Sequence, residues 1–171
     1  MNDKTSSMES LSQEIKVQHV TLQVPASYDL FTKNFTQLLG RFKEEVQAEF
    51  ATNPKAAVES VKKMEGEQGL MLFATYEHGR LQGIYGAPKK AVVYVLGNPL
   101  IAVTMTKQDL RAGLYAPLRV MVYEASQGQT RIDFDLPSSL FGQFKNSEID
   151  EVAQELDGKL KEVIRKAAAM N

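Results

Sequence analysis

Histidine, arginine and closely spaced aspartates are the residues of this chain best suited to chemistry, and His78 is the leading candidate. It follows Tyr76 and Glu77 at the end of an apolar run from Leu70. An imidazole there titrates near neutrality and can act as a general acid–base or hold a ligand. In an extended segment Glu77 and His78 point to opposite faces while Tyr76 and His78 share one, so adjacency alone makes no His–Glu dyad. The plainer role is a hydrogen bond that fixes a turn.

Gly97-Asn98-Pro99 follows a second apolar run, Ala91 to Leu96. Asn caps helices and Pro suits the first helical position, so the triplet predicts a strand-to-helix turn. Free backbone N–H groups at such a turn can hold an anion, but the glycine spacing and the missing lysine exclude a P-loop. Arg131, Asp133 and Asp135 alternate along one strand face. Two carboxylates at that spacing suit a metal, or a cross-strand pair with Arg119, and the ion pair is the better expectation. Hydrolysis by paired carboxylates needs one of them buried, and this face is expected to be solvated or interfacial. His19, between Val17 and Thr21, is expected to be exposed. The stripe Tyr28, Phe31, Phe35 and Phe42 can wall a ligand cavity, though such stripes are more often core. Gly79, Gly83 and Gly86 before Pro88 predict a surface loop, a lid if a pocket lies at His78.

The totals narrow the classes. The chain has 171 residues, 43% hydrophobic and 24% charged, which suits one globular domain. A net charge of −1 argues against nucleic acid or an anionic membrane surface as partner. With 0 cysteines, disulfides, thiolate zinc sites, iron–sulfur clusters and cysteine nucleophiles are excluded, and with 2 histidines a multi-histidine metal site is not expected. No metal or cofactor is expected. No serine sits in a G-x-S-x-G elbow. The N-terminus lacks a signal-peptide pattern and no apolar run reaches membrane-span length, so the default location is cytoplasmic.

The elements that position these residues follow from periodicity. Residues 1–14 are polar and predict a disordered tail, with a single domain over 15–171. Val20, Leu22 and Val24 alternate as a strand closed by Pro25. Ser27 caps a long helix whose apolar stripe runs from Tyr28 through Phe42 to Val46, and Asn53-Pro54 starts a second, shorter helix. Four strands follow: Leu70 to Tyr76, Ala91 to Leu96, Leu118 to Glu124 and Gln129 to Leu136, the last two joined by a hairpin through Gly128. A short helix from Pro99 and a turn near Asp109 lie between the second and third. A final helix begins at a capping box of Ser147 and Asp150. This is an α+β order, with helices on one face of a mostly antiparallel sheet. Two strands are apolar on both faces, and a third adds Met121 and Tyr123 to its outer face. A second copy of the chain is the simplest cover, so a homodimer is expected; the alternative is that the elements between Asn98 and Ala116 fold across that face.

From Tyr76 to about Phe144 the chain resembles the DUF302 family, whose fold is called TT1751-like. The resemblance is carried by Glu77-His78-Gly79, Leu96-Gly97-Asn98-Pro99, the run from Ala112 through Pro117-Leu118-Arg119-Val120, Val122-Tyr123-Glu124 with Gly128, and the strand through Asp133 and Phe134. Glu77 stands where the family usually has Asp, and the helical stretch Phe50 to Glu65 is extra. The resemblance implies a fold similar to the TATA-binding-protein and helix-grip class, and a homodimer. It implies no activity. The helix-grip analogy places a pocket between the long helix and the sheet. Three readings stay open: a small-ligand binding or sensing domain with a pocket formed by Tyr76, His78, Asn98, Arg119 and the loop Gly79 to Pro88; an enzyme using His78 as acid–base on an acidic or phenolic metabolite; and an interaction dimer without ligand.

Overall fold

The computed structural model describes residues 9–171. Of the expected tail, residues 1–8 lie outside the described residues, and Glu9 to Gln18 form neither helix nor strand. The sheet has six strands in the order β1-β6-β5-β4-β3-β2. They are β1 His19–Val24, β2 Gly40–Arg41, β3 Met71–Tyr76, β4 Ala91–Gly97, β5 Leu118–Glu124 and β6 Thr130–Asp135. All neighbours pair antiparallel except β2 with β3.

Alternation decides the core. Val92, Tyr94 and Leu96 of β4, Val120 and Val122 of β5, and Ile132 and Phe134 of β6 all face one side and are buried. They pack under helices α1 (Tyr28–Leu38) and α7 (Ser147–Ala169), which bring in Phe31, Phe35, Leu156, Leu160 and Val163. Phe35 meets Tyr94 edge-on with ring centroids 5.2 Å apart, a geometry aromatic quadrupoles favour. Buried Asn34 of α1 donates to the carbonyls of Ala167 (3.1 Å) and Met170 (2.9 Å), satisfying the open end of α7.

Three local expectations are corrected. The first helix does not run to Val46: it stops at Leu38, and the chain turns through β2 before α2 (Val46–Thr52) and α3 (Pro54–Met64). The cause is Gly40, which crosses the Gly66 backbone so closely that a Cβ on Gly40 would overlap the Met64 carbonyl oxygen and one on Gly66 would overlap the Gly40 nitrogen. Leu70 O accepts from both Gly40 N (3.0 Å) and Gly66 N (3.2 Å). Phe42 and Val46 therefore leave the α1 stripe for a second cluster with Ala57, Val61 and Met71. The cap of α7 is Asn146, whose side chain accepts from Glu148 N (3.0 Å) and Ile149 N (3.2 Å); Ser147 and Asp150 already lie inside the helix. A short helix α6 (Pro137–Phe141), not read in the sequence, turns the chain back after β6 and buries Phe141.

Other turns follow their chemistry. Ser27 caps α1 and Asn53 caps α3, with Pro54 in its first turn. The β5–β6 hairpin turns through Gln127 (φ 65°) and Gly128 (φ 71°), left-handed positions that suit glycine at the second. In β3 a bulge leaves Phe73 without a cross-strand partner, since Leu72 pairs with Leu96 and Ala74 with Val95. Its ring swings out of the ladder to stack on Phe42, with centroids 4.5 Å apart. The tightest point of the fold, the Gly40–Gly66 crossing, is checked by Gly40→Ala: urea unfolding should show a loss of roughly 3 kcal/mol or more, from backbone overlap that no rotamer relieves. An unchanged midpoint would contradict the close crossing.

Candidate functional site

The sheet's second face carries Val93 and Val95 of β4, Arg119, Met121 and Tyr123 of β5, and Arg131, Asp133 and Asp135 of β6. None of these side chains is buried. The short elements between Asn98 and Ala116 do not cross this face. Helix α5 (Pro99–Thr106) packs against α7 and the turn Leu110–Tyr115, with Met105 in the main core. The face is concave, and its bowl of about 580 Å³ has an apolar floor of Val93, Val95 and Met121. The rim holds His19, Tyr76, His78, Arg119, Asp133 and Asp135.

Three of the four residues expected to bind a ligand meet here. Tyr76 ends β3, half-exposed, and His78 opens the short helix α4 (His78–Leu81) rather than ending the strand. Tyr76 and His78 face the same bowl, whereas Glu77 reaches toward Arg80 at 3.8 Å. Arg119 lines the same bowl from β5, across β4 from Tyr76, and makes no ion pair among the described residues. Asn98 goes elsewhere. It caps α5 by accepting from Leu100 N (2.8 Å), and its amide donates to Glu65 Oε1 (2.7 Å) and the Gly69 carbonyl (2.8 Å). Buried and fully bonded, it lines a separate cavity on the helix side of the sheet. The loop Gly79 to Pro88 also departs from expectation: its first half continues α4 into a 3-10 turn, and none of its residues lines the bowl. Gly79 is needed where Lys89 passes, since a Cβ there would overlap the Lys89 carbonyl oxygen.

The expected Arg119–aspartate pair is not formed. His19 stands directly opposite Asp135 across the β1–β6 ladder and takes that carboxylate. Its Nδ1 lies 3.0 Å from Asp135 Oδ1 and its Nε2 3.7 Å from Asp133 Oδ2. The hydrogen bond to Asp135, helped by the charge of Asp133, raises the His19 pKa above 6.5. Asp133 Oδ1 is buried without a hydrogen-bond partner among the described residues. His19 is exposed, as expected, but its place in this cluster was not legible. Cross-strand register decides it, and that is invisible to local pattern.

The aromatic stripe is core rather than cavity wall. Phe31 and Phe35 are fully buried, and burial pushes the Tyr28 hydroxyl up to about 12. A pocket between the long helix and this part of the sheet is thus filled by its own side chains. Among the described residues no group of three or more His, Asp or Glu is placed to hold a metal, and no helix is long and apolar enough to cross a membrane.

Residues 33–167 match the family described as "Domain of unknown function DUF302". The chain belongs to the DUF302 family. The match begins within α1 and leaves β1, with His19, outside it. Among solved structures, an uncharacterised conserved DUF302 protein from Bacillus stearothermophilus superposes with a TM-score of 0.62 at 17% identity, covering 87% of this chain and 97% of that one. At that identity the DUF302 neighbour speaks for the fold alone. No curated protein matches in sequence.

The His19 cluster gives a signed expectation. A folded pKa above the unfolded 6.5 means the contribution is fully present below pH 6.5 and fades as pH rises through the folded value. An NMR titration of the imidazole Cε1–H should place the His19 midpoint above 6.5, and Asp135→Asn should bring it down. A midpoint that ignores the Asp135 substitution would remove the hydrogen bond as cause.

Proposed function

We propose that this DUF302 chain is a small-ligand binding or sensing domain whose site is the bowl on the helix-free face of the sheet, closed by a second copy of the chain. The observation that carries the reading is the composition of that bowl: an apolar floor bordered by Tyr76 and His78 on the β3 side and by Arg119 of β5, a guanidinium without an ion pair among the described residues. Ligand sites have this make-up, mostly apolar walls with a few convergent polar groups. The ligand that fits is a small molecule with an apolar body and a carboxylate or similar anionic group for Arg119, with His78 and Tyr76 as hydrogen-bonding partners.

The second copy is supported by what surrounds the bowl. Tyr76 is 57% exposed and Leu114, at the rim of an adjoining hollow that shares Tyr76, Val95 and Arg119, is 81% exposed. Leu81 lies exposed at the end of α4. A bowl this open leaves a ligand half in water, and a partner laid over the apolar flanks excludes that water. The face carries both Arg119 and Arg131 and the Asp133–Asp135 pair, so it is self-complementary in charge across a two-fold axis.

Native and denaturing mass spectrometry of protein purified from its own host is the test. A dimer carrying a reproducible small extra mass is expected, and Arg119→Gln combined with His78→Ala should remove the mass while circular dichroism stays unchanged. An adduct that survives both substitutions, or a monomer without adduct, overturns the reading. Val95→Lys, which places a charge on the floor, should weaken self-association by roughly thirtyfold or more in sedimentation.

A further inference from the structure

A second cavity, which shares no lining residue with the bowl, lies at the end of the sheet on its helix side. It has a volume of about 200 Å³ and sits where the end of β4 meets α5, α6 and α7. Phe73, Ile101, Met105, Leu118, Phe141 and Leu156 contribute its apolar walls. Interiors are close-packed, and voids beyond the size of a water molecule are few, so an apolar hollow of this volume beside the main core stands out. Asn98 is the one polar side chain in the lining, and all its groups are already bonded within the protein. The hollow opens to solvent on one side, its walls offer water few partners, and an apolar guest that enters releases that water.

Gly97 gives a second, independent observation. It is a buried strand residue whose φ is not positive, so its backbone does not require glycine. Its neighbours do not require it either: an added Cβ would meet Pro117 Cβ at 3.6 Å, Pro117 Cα at 3.7 Å and Phe73 Cε2 at 3.8 Å, all ordinary contacts. Gly97 ends β4, and the absence of a side chain leaves the space between Pro117 and Phe73 less filled than any other residue would. Gly97 stands in the cavity lining between Pro117 and Phe73, which line it too. The bulge acts in the same direction, because it frees Phe73 from the ladder and sets its ring between Phe42 and the hollow.

We infer that this cavity is a binding site for a small uncharged apolar molecule, an aromatic ring or a short branched alkyl group, seated against Gly97 and Phe73. The fully bonded state of Asn98 and the absence of a charged side chain from the lining select against a carboxylate or an amine.

Benzene and indole are the probes, with benzoate as the charged control. Methyl-detected NMR should show saturable shifts at Ile101, Met105, Leu118 and Leu156 with benzene or indole, none with benzoate, and a higher Tm with benzene present. Gly97→Ala adds a methyl to the cavity lining between Pro117 and Phe73 without a clash and should weaken benzene binding roughly tenfold while leaving the Tm of the free protein equal or higher. Should that variant fold poorly, Ala102→Leu fills the same space from α5 and carries the same expectation. His78→Ala and Arg119→Gln should leave benzene binding untouched, which keeps this site separable from the bowl. Shifts elsewhere, shifts that do not saturate, or equal affinity in the filled variants overturn the assignment.

Discussion

The fold depends on a single constraint: β4 is apolar on both faces. Val92, Tyr94 and Leu96 enter the core under α1 and α7, while Val93 and Val95 point the other way with no helix to meet them. A strand at the centre of an antiparallel sheet ordinarily alternates, one face wet and one dry. Here the alternation is absent, and the neighbours reflect it. Met121 extends the dry floor into β5, and charge is confined to β6 and to Arg119 at the margin. The helical layer answers half of the constraint, and the bowl is the shape of the unanswered half.

Electrostatics on that face is organised by register rather than by sequence distance. His19 and Asp135 are 116 residues apart, yet they face each other across the β1–β6 ladder at 3.0 Å. Because His19 occupies the aspartates from the edge strand, Arg119 is left with its charge toward the bowl. Both groups are solvated, so the pair contributes little to stability. Its consequence is one of arrangement: it decides which cation on this face is spoken for and which is not.

Much of this was legible in the sequence. The α+β order, five of the six strands and the caps at Ser27, Asn53 and Asn98 follow from alternation and from cap chemistry, whereas Tyr76 and His78 line one bowl with His78 on helix α4 and not in the extended segment that parity assumes. What escaped is non-local. The stripe Tyr28 to Val46 keeps helical spacing through Phe42, but Gly40 must pass against Gly66, and that contact is set by a segment 26 positions later, so the helix breaks inside an unbroken pattern. Asn98 reads as a polar group beside a pocket, and only the positions of Glu65 and Gly69 reveal that its hydrogen bonds are spent internally. His19 reads as an exposed residue on an edge strand, and nothing near it in the chain announces its carboxylates.

The Gly40–Gly66 crossing also says something about how the domain tolerates change. The chain leaves the sheet at Arg41 and returns at Leu70, and the two ends of the excursion already touch, sharing the Leu70 carbonyl as acceptor. Between them, α2 and α3 enclose a cluster of their own around Val46, Ala57 and Val61, joined to the sheet through Met71. A loop whose ends are pinned together imposes no distance on what lies within it, and lengthening such a loop costs little closure entropy. Changes of length within α2 and α3 therefore cost the sheet little, whereas Glu65 and Gly69 at the end of the excursion, which hold Asn98, do not share that freedom.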